Sequence, residues 1–380
     1  MSNLIVVPVT SRRQQKQFVN FPWKLYEGDP NWVPPLLSEH VRLLGYRHHP
    51  FYDDAQGQTF LALRDGVVCG RIMALVNHAH NRRMNEKRGF FGFFECIDDP
   101  AVSGALFDAA RAWLAAHGMQ SMRGPCNPSL NYELGLLIEG FDSPPTFMMT
   151  YNKPYYAALF EHWGLRKTQD MYAFWGHVDM IAKLDKKLSF IANEARERFK
   201  VKVRPMKKHQ FREELAMFLD VYNQSLIGTW GFVPLSPGEL KALGEGMRHL
   251  IVPELALAAE VNGETIGCVF GLLDYNPRIK KINGRLFPFG FIRLLFNRRA
   301  ITKMRVISIN VIPEYQRWGL GVVLLGALIE PMLKWGMKEA EFSWVLESNT
   351  LSRGSLEKGG AKLDKSYRVY DYDMATVGNT

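Results

Sequence analysis

The sequence predicts an α/β fold of two tandem units, each a mixed central sheet flanked by helices. Three observations carry this. At 380 residues the chain exceeds what one ordinary core accommodates. Its two halves echo each other in order, at a slowly drifting offset. Between Arg305 and Trp335, a short β-branched run, a turn with two glycines and an apolar helix follow one another.

The echo is specific to position. Trp32-Val33-Pro34 answers Phe232-Val233-Pro234 at an offset of 200, the run 62–70 answers 259–267 at 197, and 159–164 answers 355–360 at 196. In the middle pair, Asp65-Gly66 and Asn262-Gly263 are hairpin turns, because both residue types tolerate positive φ. Chance similarity between two βα-rich segments is the competing explanation; three matches in one order weigh against it. The expected organisation is a first unit over 1–177, a charged helical connector over 178–200 and a second unit over 201–380.

In the second half, the patterns read as a strand over 200–204 and a helix over about 207–223. A further helix opens at Ser236-Pro237-Gly238-Glu239, where Ser as N-cap and Glu three residues on make a capping box. Hairpin strands over 255–261 and 265–272 follow. The run 306–311 is a buried strand ended by Pro313 and Glu314, and 322–335 is an apolar helix. A strand over 341–347, Asn349, a helix ending at Lys358-Gly359-Gly360 and a last strand over 362–372 complete the half. In the first half, a strand at 90–94 leads through 95–100 to a helix over 105–116.

The turn Gln316-Arg317-Trp318-Gly319-Leu320-Gly321 runs straight into its helix. Free N–H groups converge there and the helix dipole favours negative charge, so the turn suits a phosphate. Glycine at 319 and 321 lets a pyrophosphate approach the backbone. The spacing is neither that of a P-loop nor that of a dinucleotide fold. Gln-x-x-Gly-x-Gly after a strand, followed by an aliphatic helix, a strand and Asn349, resembles the coenzyme A loop of the GNAT acyltransferases. The resemblance covers roughly 200–373. It implies acyl-CoA or acetyl-CoA as co-substrate and no metal. The coenzyme would be held by Ile309, Val311, Gln316, Arg317, Trp318, Gly319, Leu320, Gly321, Val322 and Asn349. A glycine turn in an ordinary βα unit is the plainer alternative. In the first half, Asp98 and Asp99 stand where the pyrophosphate would need to be and repel it. One acyl-CoA site is therefore expected, in the second half.

An amine attacking a thioester needs alignment, donors for the oxyanion, a base for the ammonium proton and a route for protonating the thiolate. Backbone N–H groups near Val311 are candidate carbonyl donors. Glu347, closing the neighbouring strand, is the first candidate base; a surface carboxylate or a helper for the following helix is the alternative. Many GNAT enzymes carry a Tyr as general acid in the helix after the Asn, but the matching position here is Leu356. Tyr367 and Tyr370, on the last strand, are the candidate substitutes.

The first half has its own polar cluster, Asn127, Ser129, Asn131 and Glu133, interrupted by proline. It suits an acceptor-recognition loop, and turn chemistry explains it equally well. Tyr151 and Asn152, in the run 148–156, are candidates for the same cleft. These two stretches resemble the bacterial ceramide-synthase-like group of tandem GNAT acyltransferases. That implies transfer of a fatty acyl group to a lipophilic amine of the sphingoid-base type. An aminoacyl transferase acting on cell-wall precursors and a non-catalytic acyl-CoA sensor stay open beside it.

The net charge of +9 is local. Residues 276–305 hold nine basic and no acidic side chains; the rest of the chain balances at 38 of each. The same segment contains the apolar run 286–296, whose Phe291, Ile292, Leu294 and Leu295 are expected on one face of a short helix beside Arg293, Arg298 and Arg299. Basic residues next to contiguous Phe and aliphatics suit an anionic membrane surface, through 286–299. A core segment with a solvated basic loop is the alternative, and nucleic acid fits less well because the aromatics are not interleaved for stacking. No leader or spanning segment is read, so the expectation is a cytoplasmic protein, peripheral at the inner face of the membrane. The four cysteines are dispersed, which suits a reducing compartment. His48, His49, His78 and His80 lack companion ligands at metal spacing and are expected at the surface.

Overall fold

The computed structural model describes residues 3–183 and 186–374. Along the first half run β1 (Leu4–Pro8), α1 (Arg12–Leu25), α2 (Leu37–Leu43), β2 (Ala55–Arg64), β3 (Val67–Asn77), α3 (His78–Met84), β4 (Arg88–Cys96), α4 (Pro100–Ala116), β5 (Ser121–Gly124), β6 (Cys126–Asn127), β7 (Glu133–Leu134), β8 (Leu136–Glu139), α5 (Tyr156–Trp163) and β9 (Arg166–His177). Along the second run α6 (Lys186–Arg198), β10 (Lys202–Pro205), α7 (Phe211–Ser225), α8 (Pro237–Met247), β11 (Ala256–Val261), β12 (Glu264–Leu273), α9 (Asn276–Lys281), α10 (Gly290–Leu295), β13 (Lys303–Val311), α11 (Leu320–Lys334), β14 (Glu339–Leu346), α12 (Thr350–Lys358) and β15 (Lys362–Asp373). Of the expected connector 178–200, residues 184 and 185 lie outside the described residues.

Two compact units result. The first takes Met1–Asp170, Ile279–Gly290 and Ser366–Thr380; the second takes Met171–Arg278 and Phe291–Lys365. In the first, β1 to β4 form an antiparallel meander, β5 lies parallel to β4, and the end of β15 pairs antiparallel with β5, Tyr370 opposite Gly124. In the second, β10 to β13 form the same meander, β14 lies parallel to β13, and the end of β9 pairs antiparallel with β14, His177 opposite Glu339. The repeat is thus structural as well as sequential, with β9 and β15 offset by 196.

Local chemistry explains the joints. Asp65 and Gly66 take φ of 50° and 80°, and Asn262 and Gly263 take 52° and 88°, the left-handed pair that a tight hairpin requires. Ser236 caps α8: its Oγ accepts from Glu239 N at 3.3 Å while Glu239 accepts from Ser236 N at 3.0 Å. The first unit packs α4 and α5 on its sheet through stacked and edge-on rings, Phe94 against Phe107 at 5.0 Å and Phe107 against Phe160 at 5.1 Å. In the second unit α11 buries Leu320, Val323, Leu324 and Leu328.

Some expectations are corrected. His49 and His80 are buried rather than at the surface. His49 accepts Phe51 N–H through Nδ1 at 3.2 Å, and His80 Nε2 meets Glu86 at 2.6 Å, so each imidazole is needed as a polar partner inside. Within α10, Phe291 and Ile292 are exposed while Leu294 is buried. No helix among the described residues is long and apolar enough to cross a membrane.

Candidate active site

The second unit opens its sheet. β13 pairs with β12, but the register jumps between Phe270 and Gly271, whose partners are Ser308 and Val306, leaving Ile307 as an extra residue. Such a bulge bends a strand. On its other side, β13 pairs with β14 only from Lys303–Glu339 to Val306–Phe342. β14 shifts register against β9 just beyond, between Phe342 and Val345. From Ile307 and Ser343 onward the two strands part. Ile309 and Val311 lie on the stretch of β13 that β14 leaves unpaired.

A buried polar wedge sits at the fork. Arg305 donates from Nε to Ser343 Oγ at 2.9 Å and from Nη2 to the Ser343 carbonyl at 3.2 Å. Ser343 Oγ in turn donates to Glu341 at 2.6 Å, and the guanidinium lies 5.1 Å from the Trp344 ring. Arg305, Glu341 and Ser343 are all buried. Arg305 therefore leaves the basic surface to which its sequence neighbours assign it. The signal that marks this wedge in the sequence is Glu341 and Ser343 at a spacing of two in an apolar strand, which puts both on one face.

Beyond the fork, Pro313–Trp318 forms a 3-10 turn and Gly319 takes φ 77° as the N-cap of α11. The amides of Gly319, Leu320 and Gly321 find no acceptor among the described residues. A Cβ on Gly319 would stand 2.7 Å from Ile191, whereas one on Gly321 would meet nothing nearer than Ile309 at 3.8 Å. Gln316 is engaged within the protein. Its Nε2 donates to the carbonyls of Ser225 at 2.9 Å and Val311 at 3.0 Å, tying the turn to the end of α7 and to its own strand. The Arg317 side chain is exposed. Trp318 donates to the Glu314 carbonyl at 3.2 Å and carries the Arg198 guanidinium 4.4 Å from its ring. Three adjacent free N–H groups at a helix N-terminus, with Arg317 and Arg198 beside them, have the chemistry that suits an anion.

Asn349 caps α12, accepting Ser352 N–H at 3.1 Å. Glu347 is half-buried just past the end of β14, within electrostatic reach of Arg353. Leu356 is buried with Phe174 and Val345, and Tyr172 packs on that cluster. Tyr367 and Tyr370 are fully buried in the first unit. Tyr370 donates to Glu161 at 3.2 Å, and burial beside that carboxylate raises its pKa. The cysteines are free and buried, and burial pushes the Cys126 and Cys268 thiols up to about 12, so neither supplies a thiolate nucleophile.

The first unit treats the same places differently. Asp99 caps α4, accepting Ala101 N–H at 2.8 Å and pairing with Arg64 at 2.6 Å. Asn127 Oδ1 accepts Phe93 N–H at 2.6 Å, and its Nδ2 donates to Glu133 at 3.2 Å. A Cβ on Gly92 would lie 1.8 Å from the Cys126 carbonyl, so β6 is packed directly against β4. The chain itself thus lies along β4, and the segment holding Ser129 and Asn131 turns on their own hydrogen bond at 3.2 Å. Asn152 is buried and spent on the backbone of Leu137, at 2.7 and 3.1 Å. Tyr151 donates to Asp29, at 3.2 Å from one carboxylate oxygen.

Residues 244–360 match the model of the acetyltransferase (GNAT) family. The chain is 35% identical to protein YghO of Escherichia coli K12, over 95% of this chain and 93% of that one. It is 32% identical to the bacterial ceramide synthase of Caulobacter vibrioides, over 97% of each. In fold it is similar to a tandem GNAT protein from the clavulanic acid biosynthesis pathway, with a TM-score of 0.57 and 12% identity over 98% of this chain and 99% of that one.

Proposed function

The chain belongs to the GNAT acyltransferase family, and from that premise we propose that it moves an acyl group from acyl-CoA to the amine of a lipophilic acceptor of the sphingoid-base type. The observation that carries the donor is the row of free amides at Gly319, Leu320 and Gly321, next to a sheet that splits at Val306 and Phe342. The diphosphate would sit on those amides. The pantetheine arm would run into the split and pair with the backbone of Ile309 and the N–H of Val311, as an added strand does; the Val311 carbonyl already accepts from Gln316.

The amine nitrogen would attack the thioester carbon, with the carbonyl polarised by backbone N–H at the end of β13. Glu347 would accept the ammonium proton, directly or through water. The C–S bond then breaks, the amide is released, and the thiolate takes a proton. With Leu356 at the usual acid position, and Tyr367 and Tyr370 buried in the first unit, solvent would supply it.

Similarity to a ceramide synthase supports the lipophilic acceptor, and so does the surface of 286–299. In the first unit Phe287 is 82% exposed and Arg285 is exposed; in the second Phe296 is 74% exposed and Arg293 is exposed. These side chains suit the boundary of an anionic bilayer, from which a lipid amine would arrive. Not every cation of the basic stretch 276–305 serves that surface: Arg278, Arg298 and Arg299 donate to main-chain carbonyls. An acyl-CoA assay that reads free thiol, run with long-chain bases, short amines and no amine, tests the proposal. Thiol release that depends on the long-chain base supports it; tight coenzyme binding with no release for any amine would favour a sensor.

A further inference from the structure

Helix α6 lies across the turn that leads into α11. Ile191, Ala195 and Arg198 share one side of the helix, being four and then three residues apart. A Cβ on Gly319 would stand 2.7 Å from Ile191 and 3.9 Å from the Ala195 Cβ, so that side rests directly on the turn. Three residues further on, the Arg198 guanidinium is 4.4 Å from the Trp318 ring. Phe199 braces the same ring edge-on at 5.4 Å and meets Tyr315 at 5.6 Å. A helix from the connector thus reaches the loop that receives the donor.

Arg198 is held there but not used. It is exposed, and it makes no hydrogen bond or ion pair among the described residues. Glu194 and Glu197 lie on the same helix, yet neither pairs with it. A guanidinium stacked on an indole spends its face and keeps the N–H fork at its edge. That fork matches a phosphate through two parallel hydrogen bonds. Because the ring already orients it, little freedom is lost on binding. The amides of Gly319, Leu320 and Gly321 suit the diphosphate, and Trp318, which adjoins them, is 43% exposed. What comes near Arg198 is therefore the end of the coenzyme that stays outside the split. The other anionic group of coenzyme A is the ribose 3′-phosphate, one sugar ring away from the diphosphate.

We propose that Arg198, held on Trp318, pairs with the ribose 3′-phosphate and makes α6 the element that tells coenzyme A from its 3′-dephospho form. The inference rests on the acyl-CoA reading and adds a specificity-determining residue from outside the loop. The loop amides meet only the diphosphate, which both forms carry.

Calorimetry on the full chain, with free coenzyme A and with 3′-dephospho-coenzyme A, tests this. The unsubstituted protein should bind coenzyme A about tenfold more tightly, or better. Arg198→Gln should erase most of that preference by weakening coenzyme A alone, with affinity for the dephospho form unchanged. Arg198→Lys should keep part of it, since a point charge remains but the fork is gone. Trp318→Leu should also keep part, because the guanidinium stays but loses its platform. An equal loss for both ligands in Arg198→Gln would put the side chain on the diphosphate or give it a structural role, and would overturn the proposal. No preference in the unsubstituted protein would overturn it too. Failure of the unsubstituted protein to bind either ligand would instead sink the acyl-CoA reading itself.

Discussion

Arg305 and Ser343 are joined by two hydrogen bonds at the point where the parallel pair β13 and β14 separates. The guanidinium is buried, so its donors must be met by protein, and Ser343 passes the interaction on to Glu341. Bulges on both strands begin at the next residues, Ile307 and Ser343. The polar wedge and the bulges together keep the sheet from zipping shut, which is the condition for a ligand to enter.

Arg305→Met should destabilise the protein by about 3 kcal/mol, because a buried carboxylate loses its compensating charge. Adding Glu341→Gln should recover part of that loss. Urea denaturation of the single and double variants measures both. Additive losses would show that the wedge does not act as a unit.

The two loop glycines should respond differently. Gly319 holds φ 77° with Ile191 close by, so Gly319→Ala should cost about 1–2 kcal/mol in stability. Gly321→Ala should leave the melting temperature nearly unchanged. Gly321→Glu should keep the fold and weaken CoA binding about tenfold or more, through repulsion of the diphosphate. Calorimetry and thermal melts together separate these effects.

Glu347→Gln should lower kcat about a hundredfold and leave acyl-CoA affinity as it was, if the carboxylate accepts the ammonium proton. Steady-state kinetics with a long-chain amine measures this. A fall in affinity with no change in kcat would mark Glu347 as a structural residue.

Replacing Phe287 and Phe296 by Asp should weaken cosedimentation with phosphatidylserine vesicles while leaving the melting temperature intact, since both rings are exposed. Equal vesicle binding by the two proteins would count against a membrane face.

Burial and the nearby Arg42 push His49 down to about 4, against about 6.5 in an unfolded chain. The unfolded state therefore binds the extra proton. The stabilising contribution is complete above pH 6.5 and is lost as pH falls from there to about 4, by up to about 3 kcal/mol. His49→Gln should flatten that part of the stability curve, as read by denaturation at each pH.

The sequence was most legible where a residue type has one physical use. Asn262-Gly263 marked its hairpin, Ser236 and Glu239 marked their cap, and the paired glycines at 319 and 321 marked the turn into α11. It was least legible where a use depends on distant partners. Arg305 reads as one more surface cation until Ser343 and Glu341 are folded against it. Ile307 carries no mark of a bulge, because an extra residue in a strand is defined only by its neighbour's register. Gln316 and Asn152 look like ligand-binding amides, yet their donors go to main-chain carbonyls. His49 and His80 look solvent-facing because histidine is polar, yet each satisfies a group inside.

The most direct measurement follows the amide resonances of Gly319, Leu320 and Gly321 during a titration with CoA. If these N–H groups take the diphosphate, all three should move together, downfield and saturably, with the midpoint at the calorimetric Kd. Saturable CoA binding that leaves the three resonances in place would contradict the account.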